Sequence, residues 1–330
     1  MEFRTKIAIP SMGKPLSHQD HWMVLGSCFT EHVGSKLKQA GFRVCLNPFG
    51  ILYNPMSILT ALQRLDHPES FRFGDLVQRD GLFHSFMHHG RFSSTDRDET
   101  LDQINQSLMD AALAWSKTSC LMLTLGTAWV YTLPDSGQIV ANCHRFPESV
   151  FLRQRLSVEH IIDAYERYFD ALFVQKPDLK VVLTVSPIRH IRDGMEENTR
   201  SKAILHLAIE SLCARYKQVA YFPSYELIMD DLRDYRFYAE DLLHPSEMAQ
   251  TYVWEQFSDA FFSKSTHEVI KQVLQIRKAM EHKPFRPDDE TYLRFAQKQV
   301  ATLAVLKARY PELDLDAESQ FFEQIVTRFV

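Results

Sequence analysis

Five short runs of almost unbroken apolar residues, 21–25 (HWMVL), 43–46 (RVCL), 120–125 (CLMLTL), 180–185 (KVVLTV) and 219–222 (VAYF), restrict what this chain can become. A run without polar alternation is what a strand needs when both of its faces are covered. Helical periodicity fills the gaps, at 30–40, 56–64, 99–117, 158–174 and 200–216. Strand and helix in alternation argue for a parallel sheet with helices on its faces. Right-handed crossovers and short connections then favour an α/β fold of the three-layer α/β/α kind, with a flavodoxin-like, five-stranded parallel sheet. In such sheets ligands bind at the carboxyl ends of the strands, near a switch in strand order, so chemistry is expected where the apolar runs stop.

Beyond residue 262 the pattern is helical only, over 266–281, 288–308 and 317–329, with breaks at Lys283-Pro284-Phe285-Arg286-Pro287 and at Tyr310-Pro311. The expected division is an α/β/α domain over 1–263, which would carry any chemistry at its strand ends, and a helical C-terminal extension over 264–330. Apolar residues of that extension, such as Phe295, Leu303 and Phe322, are expected as core or as a dimer surface, which leaves a homo-oligomer open.

With 330 residues, 45% hydrophobic, the chain can bury a large core. Its net charge of −5, with Lys and Arg dispersed, argues against a nucleic-acid partner. Residues 1–10 alternate apolar and charged side chains without the apolar run of a signal peptide, and no stretch approaches the length of a membrane span. A soluble, cytoplasmic protein is expected. The 5 cysteines are widely spaced and never form C-x-x-C, so neither a disulfide framework nor a four-thiolate zinc site is indicated.

Three segments carry the candidate chemistry. Gly26-Ser27-Cys28-Phe29 follows the first strand and precedes a helix, which puts Ser27 at a strand's carboxyl end. There its own N–H and the helix dipole favour negative charge, although a plain capping serine accounts for the same letters. Asp241-Leu242-Leu243-His244-Pro245 stands before the last helix of the α/β pattern, with Pro245 suited to the first helical position. An Asp three residues before a His can curl back onto Nδ1 and leave Nε2 as a base, or simply cap the turn. Gly126, after the third run, allows close backbone approach and a second oxyanion donor. Asn142, in an otherwise short apolar run, offers a third, against the plainer role of a turn residue.

These residues sit in a longer pattern. Gly26-Ser27-Cys28-Phe29-Thr30, the stretch Asn47-Pro48-Phe49-Gly50 through Pro55, Gly126-Thr127-Ala128-Trp129, Asn142-Cys143-His144, Ser186-Pro187-Ile188-Arg189-His190 and 230–245 together resemble the GSCFA family, in order, over roughly 20–260. That family in turn resembles the SGNH (GDSL-like) hydrolases. The resemblance implies a serine ester hydrolase acting on a small-molecule, carbohydrate or lipid acyl ester, with no cofactor and a catalytic triad of Ser27, His244 and Asp241. Oxyanion donors would come from Ser27, Gly126 and an asparagine, Asn142 first and Asn54 second, because the usual G-x-N-D block is replaced by Gly126-Thr127-Ala128-Trp129. The reaction class is borrowed from the superfamily by analogy.

Other readings compete. Cys28 is intrinsically the better nucleophile, but neighbouring side chains on a helix diverge by roughly 100°, so only one of the two can face His244. The SGNH resemblance selects Ser27 and leaves Cys28 against the sheet. His84 and His88 have the i, i+4 spacing of a zinc pair without the Glu of H-E-x-x-H, and flanking glycines indicate a loop. With His144 and His190 they are expected to line the cleft, a zinc-dependent hydrolase being the lesser alternative. Arg189 could clamp a carboxylate or phosphate of the substrate, or pair with Asp193 or Glu196. An acyltransferase using the same triad and a non-catalytic binding protein remain the other classes.

Overall fold

The computed structural model describes residues 4–10, 12–284 and 289–329. Strand β1 (Trp22–Gly26) leads into α1 (Cys28–Gln39), followed by β2 (Val44–Leu46) and α2 (Pro55–Asp66). A hairpin of β3 (Leu76–Arg79) and β4 (Leu82–Ser85) precedes α3 (Arg97–Lys117) and β5 (Cys120–Leu125). Next come β6 (Trp129–Thr132), β7 (Ile139–Val140) and β8 (Leu152–Arg155), then α4 (Val158–Gln175), β9 (Lys180–Val185), α5 (Gly194–Arg215) and β10 (Val219–Tyr221). The short α6 (Ser224–Glu226) continues as a π-helical stretch over Leu227–Leu232, before α7 (Glu247–Phe261), α8 (Lys264–Met280), α9 (Glu290–Arg309) and α10 (Asp316–Thr327).

The central sheet has the order β10-β9-β5-β1-β2 and every pairing is parallel. The chain steps from β1 outward to β2 and then returns to the other side of β1 with β5. That reversal is the switch point of a flavodoxin-like sheet, and it opens a crevice at the carboxyl ends of β1 and β5. Register explains the unbroken apolar runs: Trp22 pairs with Cys120, and Met23 with Leu121. Met23, Leu25, Leu121, Leu123, Val181 and Leu183 pack with α2 to α5 on one face, while Trp22, Val24, Cys120, Met122 and Val182 pack with α1 and α7 on the other. The three layers are helix, sheet, helix. Helices α8 to α10 close a separate cluster around Val273, Leu303, Leu313 and Phe322.

Two small antiparallel sheets were not among the expected strands: β3 with β4, and β7-β6-β8. Their strands run to four residues at most and, apart from the two-residue β7, mix apolar with polar side chains, so periodicity over a longer window does not register them. Residues 285–288, and with them most of the expected Lys283 to Pro287 break, lie outside the described residues. Among the described residues no helix is long and apolar enough to cross a membrane.

Candidate active site

The turn after β1 is built by a glycine that nothing else could replace without movement. Gly26 has φ +145, and a Cβ there would lie 2.4 Å from the Thr124 carbonyl oxygen of the neighbouring strand. Its N–H donates to Oδ1 of buried Asn47 at 2.9 Å, which ties the end of β1 to the loop after β2. Ser27 then occupies the N-cap position of α1 in an extended conformation, yet its side chain caps nothing. The hydroxyl is buried and has no hydrogen-bond partner. Cys28, the first helical residue, is half-buried and lines the cleft.

Opposite lies the 239–245 turn. It is closed by the Ala239 N–H donating to the His244 carbonyl at 2.7 Å and by a bridge between Tyr238 and Pro245. Leu242 adopts φ +57, a left-handed conformation costly for a branched side chain. That twist lets Asp241 fold back: Oδ1 accepts the N–H groups of Leu243 and His244, both at 2.9 Å, and Oδ2 lies 2.5 Å from His244 Nδ1. The two backbone N–H groups, with the imidazole after them, hold the Asp241 carboxyl down at about 2. Pro245 is not the first helical residue as expected; Ser246 caps α7 through the Ala249 N–H, and the helix opens at Glu247.

His244 Nε2 faces Cys28. The Sγ to Nε2 separation is 3.8 Å, at the loose end of what unliganded catalytic contacts show. The structure therefore brings Asp241, His244 and Cys28 into a line and leaves Ser27 out of it. The reason is local: Ser27 is the extended N-cap residue and is buried, whereas the next residue, already in the helical frame, lines the crevice. Burial pushes the Cys28 thiol above its ordinary value, while the N–H groups of Phe29 and Cys28, turned toward the sulfur, act against that rise.

The expected oxyanion donors are mostly occupied. The Gly126 and Thr127 N–H groups both donate to the Tyr53 carbonyl, at 2.7 and 3.0 Å, because the chain entering α2 lies across the end of β5. The Ser27 N–H points at Thr124 O, 3.3 Å away. Asn142 uses its Oδ1 on the His144 N–H at 2.9 Å, a turn role, and lies outside the cleft lining. Asn54 does line the cleft; it caps α2 through the Ser57 N–H and donates one amide hydrogen to Ser57 Oγ, which leaves its second amide hydrogen. The donors nearest the sulfur are the first-turn N–H groups of Cys28 and Phe29.

The cleft itself encloses about 330 Å³, walled by Tyr53, Trp129, Tyr131, Val140 and Ile188. Arg153 lies 4.0 Å over the Trp129 ring and pairs with Asp193. His190 reaches the cleft, with its pKa pulled to about 4 chiefly by burial and then by the positive charge of Lys202. Lys202 was not singled out by sequence. It is fully buried on α5, and its Nζ donates to the carbonyls of Gly126 and Ser186 at 2.6 and 2.7 Å, stapling the ends of β5 and β9. Burial lowers its pKa to about 7. A larger depression of about 950 Å³ along α3 contains none of the candidate residues.

Three of the expected cleft histidines are elsewhere. His84 lies on β4, with Nδ1 on Ser93 Oγ and its ring stacked 4.4 Å from that of His144. His144 Nε2 bonds the Ser85 carbonyl, and His88 Nδ1 bonds Ser85 Oγ. They knit the β3–β4 hairpin to the 141–145 turn, and burial holds His88 and His144 neutral, at about 3 and about 4. The i, i+4 spacing of His84 and His88 is not helical. Among the described residues no three His, Cys, Asp or Glu side chains are placed to hold a metal.

A solved structure from Streptococcus pneumonia, provisionally described as a platelet activating factor, is similar to 74% of this chain and 84% of its own at 13% identity, with a TM-score of 0.39. No curated protein matches the sequence. Residues 273–328 match the GSCFA domain protein, C-terminal domain, over α8 to α10. Residues 21–257, from β1 into α7 and including both halves of the cleft, match the GSCFA family model, and the chain belongs to the GSCFA family.

Proposed function

We propose that this chain is an acyl hydrolase or acyltransferase whose nucleophile is Cys28, with His244 as its base and Asp241 orienting the imidazole. The observation that supports the reading is the continuous line from Asp241 Oδ2 to His244 Nδ1, at 2.5 Å, and from His244 Nε2 to Cys28 Sγ, at 3.8 Å, at the switch point of the sheet. Because burial keeps the thiol protonated, the base acts during attack rather than beforehand. His244 takes the thiol proton as sulfur adds to an acyl carbonyl, and the oxyanion develops beside the N–H groups at the head of α1. His244 then returns the proton to the leaving alcohol. Water, deprotonated by the same imidazole, releases the acyl group from the thioester; an alcohol acceptor in its place makes the reaction a transfer. The SGNH resemblance lends the reaction class by analogy.

Ser27 is the second reading, favoured by one observation: its buried hydroxyl has no partner to hold it where it is. The test is to trap the acyl-enzyme with an activated ester and, in parallel, to treat the protein with a fluorescent organophosphonate, locating each adduct by peptide mass spectrometry. Acylation on Cys28 that vanishes in Cys28→Ala and His244→Ala and persists in Ser27→Ala is the expected result. Phosphonylation of Ser27 would transfer the role to the serine. A folded protein that accepts neither reagent would replace catalysis with binding.

A further inference from the structure

Among the described residues three arginines line the cleft, and two of them, Arg153 and Arg192, are answered by carboxylates. Arg153 pairs with Asp193, Arg192 with Glu148, Arg155 with Glu197, and Arg200 with Glu196 and Glu197. Arg189 lines the same cleft as Cys28 and His244, and among the described residues it has no carboxylate within ion-pair distance. Its guanidinium donates to Tyr238 Oη at 3.1 Å and Met229 Sδ at 3.0 Å, both neutral, and lies 5.7 Å from the Tyr238 ring centre. Two of five donors are thus spent on weak acceptors, and the charge is unanswered. The expected pairing with Asp193 or Glu196 fails because those carboxylates are taken. Lys202, buried and held by two carbonyls, feels the same guanidinium: Arg189 is among the charges that weigh against its proton.

An unpaired guanidinium lining a small cleft is a docking point for an anion, and among the described residues no carboxylate is paired with it. We infer that the cleft takes an acyl compound carrying a second, free carboxylate, which docks on Arg189 while its reacting carbonyl meets Cys28. A planar fork with spare N–H groups matches a carboxylate in two-point fashion, and about 330 Å³ accommodates a short dicarboxylic half-ester rather than a long acyl chain. The inference rests on the cleft being the reacting site but not on which atom attacks.

Binding is therefore tested without turnover, in Cys28→Ala. Succinate is expected to raise the Tm of this protein saturably, while uncharged succinamide at the same concentration has no effect, and Arg189→Met added to Cys28→Ala removes the succinate response. Arg189→Lys, which keeps the charge and loses the fork, is expected to retain part of it. Equal responses to succinate and succinamide, or a response that survives Arg189→Met, overturn the inference; so does stabilisation by inorganic phosphate as strong as by succinate, which would mark a general anion site. Should Arg189→Met not fold, the succinate and succinamide arms decide alone. In the wild type, the ratio of Cys28 alkylation by iodoacetate to that by iodoacetamide is expected to fall about tenfold on Arg189→Met, equivalent to about 1.4 kcal/mol. Failure of acyl-enzyme trapping with an intact succinate response would count against the proposed reaction and leave the carboxylate site standing.

Discussion

Lys202 makes the stability of this protein depend on pH in an unusual direction. A lysine ordinarily titrates near 10.5, and burial brings this one to about 7. Below pH 7 the folded and unfolded chains both hold the proton, and the full cost of a buried charge is present. Between 7 and 10.5 the unfolded chain keeps a proton that the folded chain has released, so stability rises with pH, by at most about 1.4 kcal/mol per unit. Lys202→Met is expected to lose ground against the wild type as pH climbs from 7 to 10, seen as a widening gap in urea midpoints. The neutral amine still donates to Gly126 O and Ser186 O, whereas methionine leaves both carbonyls unanswered. At this scale sequence reading was uneven. The Asp241 and His244 pair was legible because three residues of chain bring the groups together with no help from elsewhere. Which of Ser27 and Cys28 stands beside His244 was not, since it turns on the backbone at Gly26 and on where α1 opens. Lys202 read as one more helix lysine because only packing reveals that its side of α5 looks at the strand ends.

Elements were legible in proportion to their length. The five strands of the central sheet announced themselves through apolar runs, and α3 and α4 through long periodic faces. The β3–β4 hairpin carried a signal that went unused: Asp80-Gly81, both with positive φ, is the residue pair that a tight two-residue hairpin turn demands. No sequence rule exposes the 239–245 turn, where Leu242 takes a left-handed conformation so that Asp241 can reach His244. Its side chain is exposed and gives little packing in return. Leu242→Gly is therefore expected to cost nothing or to stabilise slightly, because relief of strain offsets the added freedom of the unfolded chain. Leu242→Ile, β-branched and worse placed there, should cost about 1–2 kcal/mol in chemical denaturation and slow acylation of Cys28 by loosening His244.

On the scale of the whole molecule, the C-terminal helices are seated on the far end of α1. Asp314 donates its N–H to Gly41 O, Arg43 reaches Pro311 O, and Arg277 spans Lys38 O and Glu318. Gly41 has φ +86, and a Cβ there would lie 3.1 Å from Val273. Gly41→Ala is expected to cost about 1–3 kcal/mol in thermal unfolding, through both strain and crowding. The same variant should lower the rate of Cys28 acylation more than a remote surface change of equal stability cost does. Helix α1 has 12 residues and is thus a stiff rod about 18 Å long, gripped by α8 to α10 at one end and carrying the thiol at the other. His244 rides on a different support, the turn ahead of α7. A tilt of about 5° imposed at the gripped end would carry the sulfur roughly 1.5 Å relative to the imidazole, a misplacement large enough to cost about a hundredfold in rate. The C-terminal helices thus hold a lever arm over the spacing of Cys28 and His244, and so over the proposed reaction, from outside the cleft.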